Sequence, residues 1–156
     1  MNTMNETIIN HALFLGMKPE HLAMLAERAQ AAQFKAGDVL FRESAPASQI
    51  YLIQTGKIAL EAHGISGGTT RIQELGPGDV LGWSWLFPPF AWHFQARAVE
   101  PTEVVQLDGA HLLVAAERDH DFGYELMKRI AQIVIHRLQA TRKQLLALQV
   151  ESALEG

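Results

Sequence analysis

The stretch Gln49-Ile50-Tyr51-Leu52-Ile53-Gln54-Thr55-Gly56-Lys57-Ile58-Ala59-Leu60-Glu61-Ala62-His63 decides the fold class. It reads as two strands, residues 50–54 and 57–63, with Thr55-Gly56 as the turn between them. The same grammar extends in both directions. Further short apolar runs predict strands at 32–34, 39–41, 69–75, 80–81, 94–99 and 104–107. The punctuation is Lys35-Ala36-Gly37-Asp38, Gly64-Ile65-Ser66-Gly67-Gly68 and Gly76-Pro77-Gly78-Asp79, where glycines supply positive φ and Pro77 fixes a turn. No helical period interrupts these runs, so the pattern favours a sandwich or barrel over a parallel βαβ sheet.

Both flanks change period. Pro19 opens a helix, Glu20 follows in its first turn, and Leu22, Leu25, Ala26 and Ala29 recur at helical spacing. A weaker helix precedes it over 6–14. After the strands, Asp108 caps a short helix over 109–117, and Asp119 or Asp121 caps a long one over 122–150. That helix carries Met127, Ala131, Val134, Leu138, Thr141, Leu145 and Leu148 at alternating four- and three-residue steps. The spacing fits a coiled-coil seam. The competing reading is a helix lying along the barrel with the stripe as ordinary core. The expectation is that the first half packs on the barrel and the second half pairs with a partner helix through Val134, Leu138, Thr141, Leu145 and Leu148. The fold class is therefore mainly β with flanking helices: an antiparallel β-roll or jelly roll with N-terminal helices and a long C-terminal helix. Its parts are an N-terminal helical segment over 1–30, a roll over 31–108, and C-terminal helices over 109–156.

Bulk properties narrow the function. The 156 residues make one domain, and 13 basic against 17 acidic residues leave a net charge of −4, without an overall basic surface for nucleic acid. The absence of cysteine removes disulfides, thiolate metal sites and Cys nucleophiles, and suits a cytoplasmic location. Nothing over 1–10 reads as a signal peptide, and no apolar run approaches a membrane span.

With the order of parts in place, particular residues carry a resemblance. The segment from Leu40 to Gly56, with its apolar Ile50 to Ile53 and its Gly56, resembles the first signature of the cyclic-nucleotide-binding domains; Ser44 stands where that family usually has glycine. Gly76-Pro77-Gly78-Asp79-Val80-Leu81-Gly82 resembles the approach to the family's phosphate-binding cassette, placed here at 82–93. Arg97-Ala98-Val99-Glu100-Pro101-Thr102-Glu103-Val104 is similar to the strands that leave it. Arg137-Leu138-Gln139-Ala140-Thr141 is similar to the long helix of the catabolite-activator branch. The resemblance covers roughly residues 10 to 150 and implies a β-roll with helices at both ends. In the family, backbone N–H groups at the cassette helix bind a cyclic phosphate, a Glu takes the ribose hydroxyl and an Arg pairs with the phosphate.

This chain departs at both charged positions. Trp83 falls where the Glu would be and Trp92 where the Arg would be, with Arg97 matching a later strand position. Losing one charged hydrogen bond costs about 1.5–3 kcal/mol, so losing both removes roughly a hundredfold or more in affinity. Binding of cyclic AMP in the usual way is therefore not expected. Trp83, Trp85, Phe87, Phe90, Trp92 and Phe94 replace the polar pocket. Three readings stand open: a retuned pocket that stacks a planar or apolar ligand, rings that fill a vestigial pocket as core, and an exposed patch for a protein partner. The candidate ligand-binding residues are Gly82, Trp83, Ser84, Trp85, Trp92, His93, Thr141 and Arg142. Gly82 and the following N–H groups could bind an anion. A protonated His93 could restore part of the lost charge, against a solvent-facing role. By the resemblance, Thr141 matches a base-contacting helix residue, and Arg142 follows it.

Other chemistries fall away. Gly82-Trp83-Ser84-Trp85-Leu86 lacks the last glycine of a nucleophile elbow. His11, His21, His63, His93, His111, His120 and His136 form no metal-binding spacing, and there is no phosphate loop. Lys128, Arg129, Arg137, Arg142 and Lys143 on the long helix read as a solvated face. The chain ends at Gly156 before any helix-turn-helix, so DNA binding by that route is not expected. The sequence thus predicts a stand-alone, non-enzymatic ligand-sensing domain, homodimeric through its last helix. No metal or cofactor is expected beyond a cyclic nucleotide or other small ligand. The alternatives are a genuine cyclic AMP or cyclic GMP sensor with an aromatic pocket, and a ligand-free scaffold for a protein partner.

Overall fold

The computed structural model describes residues 3–64, 67–82 and 89–155. Among these residues, eight strands form two four-stranded antiparallel sheets. β1 (Gln30–Phe34), β8 (Thr102–Asp108), β3 (Gln49–Thr55) and β6 (Val80–Leu81) make one, in that spatial order; β2 (Val39–Phe41), β7 (Gln95–Ala98), β4 (Ile58–His63) and β5 (Thr69–Leu75) make the other. The predicted strands all form, with ends moved by one or two residues.

Thr55-Gly56 does more than turn the chain. β3 and β4 are consecutive in sequence and belong to different sheets, so this corner carries the chain from one layer to the other. Gly56 holds φ at +94°, and a Cβ there would lie 2.4 Å from the Thr102 Oγ1 and 2.5 Å from the Pro101 carbonyl oxygen. Only glycine meets both the torsion and the space.

The core fills the space between the sheets and continues beneath the helices that pack on them. Ile50, Leu52, Ile53, Ile58, Leu60, Leu81 and Ala96 are all essentially buried. β3 is buried along most of its length because β8 and β6 flank it and layers cover both faces. The N-terminal helices close one side: α1 (Thr3–Asn10), a 3-10 turn (Ala12–Phe14) and α2 (Pro19–Arg28). The predicted helix over 6–14 is thus split. His11 ends it by using its Nδ1 to accept the Leu13 N–H at 3.1 Å, capping the 3-10 turn.

α3 (Gly109–Arg118) is capped by Asp108, whose carboxylate accepts the Ala110 N–H at 3.2 Å. α4 (His120–Glu155) is longer at both ends than predicted. Asp119, not Asp121, caps it by accepting the N–H groups of Asp121 and Phe122. The buried His21 of α2 reaches the same carboxylate at 3.0 Å and meets Phe122 edge-on, which fixes α4 at its start.

Phe122, Leu126 and Ile130 of α4 are buried against the body of the protein. At about 100° per residue the predicted seam residues lie roughly a quarter turn away from this line. Val134, Leu138, Leu145 and Leu148 are 38, 68, 57 and 61 % exposed, and Thr141 between them is exposed too. The stripe is therefore not ordinary core of this chain. The basic residues of α4 depart from expectation. Lys128, Arg142 and Lys143 are exposed, whereas Arg129 and Arg137 are drawn inwards by partners and do not form a solvated face.

Candidate functional site

The candidate site is built where β6 ends. Val80 and Leu81 pair with Leu52 and Tyr51 of β3, and the chain then turns at Gly82 with φ +110°. A Cβ at Gly82 would lie 2.7 Å from the Gln49 carbonyl oxygen and 3.0 Å from the Trp92 ring. Gly82 therefore lets the chain pass between the start of β3 and that ring. Trp83, Ser84 and Trp85, with Leu86, Phe87 and Pro88, lie outside the described residues.

The chain re-enters at Pro89 and is tied to the loop after β2. The Ala47 N–H donates to the Phe90 carbonyl at 2.8 Å, the Trp92 N–H to Ala45 at 3.0 Å, and the Ser44 N–H to Trp92 at 2.8 Å. These bonds seat the Trp92 indole inside the roll, 3 % exposed. Its ring lies parallel to Phe41 at 3.7 Å and 12°, with Tyr51 and Phe94 completing the cluster at 6.3 and 6.4 Å. Burial in this apolar cluster pushes the Tyr51 phenol above its ordinary value. Ser44, at the family's glycine position, adopts φ +72°, the conformation that glycine favours.

Among the predicted ligand-binding residues, the structure brings Gly82 against Trp92. His93, Thr141 and Arg142 are solvent-exposed. Phe90 is 46 % exposed at φ +57°, directly after the proline pair.

A polar group also lines the second sheet. The Arg97 Nε and Gln95 Nε2 both donate to the Glu61 Oε1, each at 3.0 Å. Burial raises the Glu61 carboxyl, but these donors outweigh it and hold it below its ordinary value. The pairing of Glu61 with Gln95 and of Ala59 with Arg97 across β4 and β7 puts the group on one face.

Arg137 is the residue whose role sequence reasoning missed. Its Nη2 donates to the Val80 carbonyl at 2.6 Å, two residues before Gly82. Burial lowers its pKa to about 10, with Asp79 opposing the shift. The Gln73 Nε2 donates to the Arg137 carbonyl at 3.4 Å, and Gln144 donates to the Ile72 carbonyl, so α4 is tied to β5 and β6 at three points. A signal existed in the sequence: Arg137 falls in step with Ile130 and Ile133 on the apolar line, where a purely solvated side chain is out of place.

Comparison with known proteins agrees with this geometry. Residues 31–119 match the family model of the cyclic nucleotide-binding domain. The chain is 25 % identical over 143 residues to a CRP-like cAMP-activated global transcriptional regulator of Mycobacterium tuberculosis, covering 91 % of this chain and 62 % of that protein. It is also similar to the solved catabolite activator protein of Thermus thermophilus, with 26 % identity, a TM-score of 0.70, and coverage of 90 % of this chain and 64 % of that one. A cyclic nucleotide-binding domain from Methylobacillus flagellatus shares the fold at a TM-score of 0.78 with 19 % identity, covering 92 % of this chain and 81 % of that one. The chain spans just under two thirds of the length of the mycobacterial regulator and of the Thermus protein. No helix among the described residues is long and apolar enough to cross a membrane.

Proposed function

From its membership of the cyclic nucleotide-binding domain family, to which this chain belongs, we propose that the protein is a regulatory, non-enzymatic sensor whose ligand is held at residues 82–93 and read out by α4. The observation that carries this reading is the bond from Arg137 to the Val80 carbonyl. β6 is two residues long, so one short strand carries the α4 anchor at Val80 and leads into the cassette at Gly82. A ligand that moves Gly82 must strain or release the Arg137 bond. It thereby biases α4 between two settings, and its differential affinity for those settings is the signal.

The pocket is diverged from the family's. Trp83 and Trp92 replace the groups that hold ribose and phosphate, and Phe41 already covers one face of Trp92. The ligand set is Gly82, Trp83, Ser84, Trp85 and His93, with Trp92 as its buried floor and Thr141 and Arg142 on the helix side; it suits a planar or apolar molecule better than a doubly anchored nucleotide. Calorimetric titration with cyclic AMP and cyclic GMP, with tryptophan fluorescence followed in parallel, tests this. No saturation at micromolar nucleotide is expected. Saturable micromolar binding with a fluorescence change would overturn the diverged pocket. It would establish the second reading, a nucleotide sensor with an aromatic cassette, which the 25 % identity to a cAMP-activated regulator favours.

The readout is a homodimer. The exposed apolar seam Val134, Leu138, Leu145 and Leu148, with Thr141 among them, supports pairing of α4 with a second copy. Light scattering at micromolar concentration should give twice the chain mass; a monomer there would remove the dimer from the proposal.

A further inference from the structure

We propose that the cleft between α1 and β3 is a second ligand site, taking a small cation that carries a neutral carbonyl oxygen. The cleft has a volume of about 580 Å³ and is lined by Glu6, His11, Gln54, Pro77 and Gly78, among others. That volume lies in the range of sites for small organic ligands. Tyr51 of the same strand points to the Trp92 cluster, whereas this cleft is walled by α1, so it is separate from the cassette.

Two buried polar atoms with no hydrogen-bond partner, the His11 Nε2 and the Gln54 Nε2, belong to residues lining this one cleft. His11 is 6 % exposed. Its Nδ1 accepts the Leu13 N–H, so the neutral ring carries its proton on Nε2 and that atom is a donor. The Gln54 side-chain nitrogen is a donor as well. A buried donor without an acceptor is costly, and two on residues that line one cleft can be met by a ligand acceptor there once the side chains turn towards it. The backbone has been shaped for the second of them. Ile53 pairs with Val104 and Thr55 with Glu103, which places Gln54 at a β-bulge, the device that re-aims a side chain out of the regular ladder.

The surrounding charge selects the class of acceptor. Glu6 lines the cleft and is exposed; Asp79 is close enough to act on the His11 charge. No lysine or arginine lines the cleft. Arg137 faces Asp79 from α4 and offsets its charge, so the exposed Glu6 decides the sign. A carboxylate or phosphate would meet Glu6 with no cation in the lining, whereas a carbonyl oxygen satisfies both donors, and an attached ammonium is attracted to Glu6.

The test is nuclear magnetic resonance of the full chain, following the His11 imidazole and the Gln54 side-chain amide. The probes are N-acetyl-1,4-diaminobutane and 4-acetamidobutanoate, which share the acetamide carbonyl and differ in the sign of the far charge. Saturable shifts of both reporters with the cationic probe are expected, with the anionic probe at least about fivefold weaker. Glu6→Gln lies on the exposed face and leaves the fold intact; it should erase the difference between the probes. Gln54→Leu should weaken both. The proposal is overturned if neither probe saturates by about 50 mM, which would mean that water alone serves the two donors. It is equally overturned if binding is unchanged in both variants, which would place the probe elsewhere.

Discussion

Ser44 holds a left-handed backbone at φ +72° without being glycine. The conformation costs an L-residue roughly 1–2 kcal/mol, and glycine pays little of it. Ser44→Gly should therefore raise stability by about 1 kcal/mol, read as a shift of the urea midpoint at constant slope. Gly82 presents the opposite case. Gly82→Ala adds a methyl 2.7 Å from the Gln49 carbonyl oxygen at φ +110°, so it should lose well over 1 kcal/mol and displace Trp92. Near-ultraviolet circular dichroism of the aromatic cluster checks the displacement. At this scale the sequence was only partly legible. The turn glycines Gly37, Gly56 and Gly78, all at positive φ, could be read because torsional demand falls on residue identity, whereas the left-handed Ser44 could not. The stacking of Trp92 on Phe41 could not, because it joins residues fifty-one positions apart through a pairing of loops. The solvation of Arg137 was misread for a related reason: its partner is a backbone carbonyl, and a carbonyl leaves no mark in a sequence.

Among the elements, α4 carries two faces with different duties. Its buried line docks on the body of the protein, and its exposed apolar line is the one proposed to pair with a second copy. Leu138→Lys with Leu145→Lys puts charges into the seam without touching the docked face; the variant should scatter light as a monomer and keep its helical content. Removing Arg137 acts on the other face. Arg137→Met keeps the apolar stem and deletes the donor to Val80, so a loss of about 1.5–3 kcal/mol is expected, as for a charged hydrogen bond. If α4 reads the cassette through this bond, the variant also loses any ligand-dependent change in α4, even where ligand still binds. Helix and strand positions were legible from period and caps, since Asp108, Pro19 and the seam spacing act locally. Helix lengths were less so. α4 continues to Glu155 because Glu151, Ser152 and Ala153 neither break nor cap it.

For the molecule as a whole, pH acts first through His11. Burial holds its imidazole below the ordinary value of about 6.5, Asp79 offsetting part of the shift. The unfolded chain therefore takes up this proton before the folded chain does. The stabilising contribution is complete above about pH 6.5 and is lost as pH falls from there through the folded pKa. Protonation at Nδ1 must also break the bond from Leu13. His11→Asn keeps a capping acceptor and does not titrate. Urea midpoints measured from pH 7 down to about 5 should fall further in the parent than in this variant. Glu43 and Asp119, held low chiefly by hydrogen bonds from His63 and His21, contribute only at more acid pH. The layered architecture was legible from the period change at residues 31 and 108. The assignment of β3 and β4 to different sheets was not, since a tight Thr-Gly corner suits a hairpin equally well until Pro101 and Thr102 are seen to crowd it.

That sheet exchange has a consequence for the nascent chain. β8 lies between β1 and β3 and is the last strand made, so the first sheet has no centre until residues 102–108 leave the ribosome. Until then β1 lacks the one strand it pairs with among the described residues, and β3 is left with the two residues of β6. Closure must therefore wait for contacts of large sequence separation, a topology that folds slowly. The unpaired edges stay available to other chains throughout that interval. Release of the N-terminal half alone would yield an aggregation-prone fragment rather than a smaller domain.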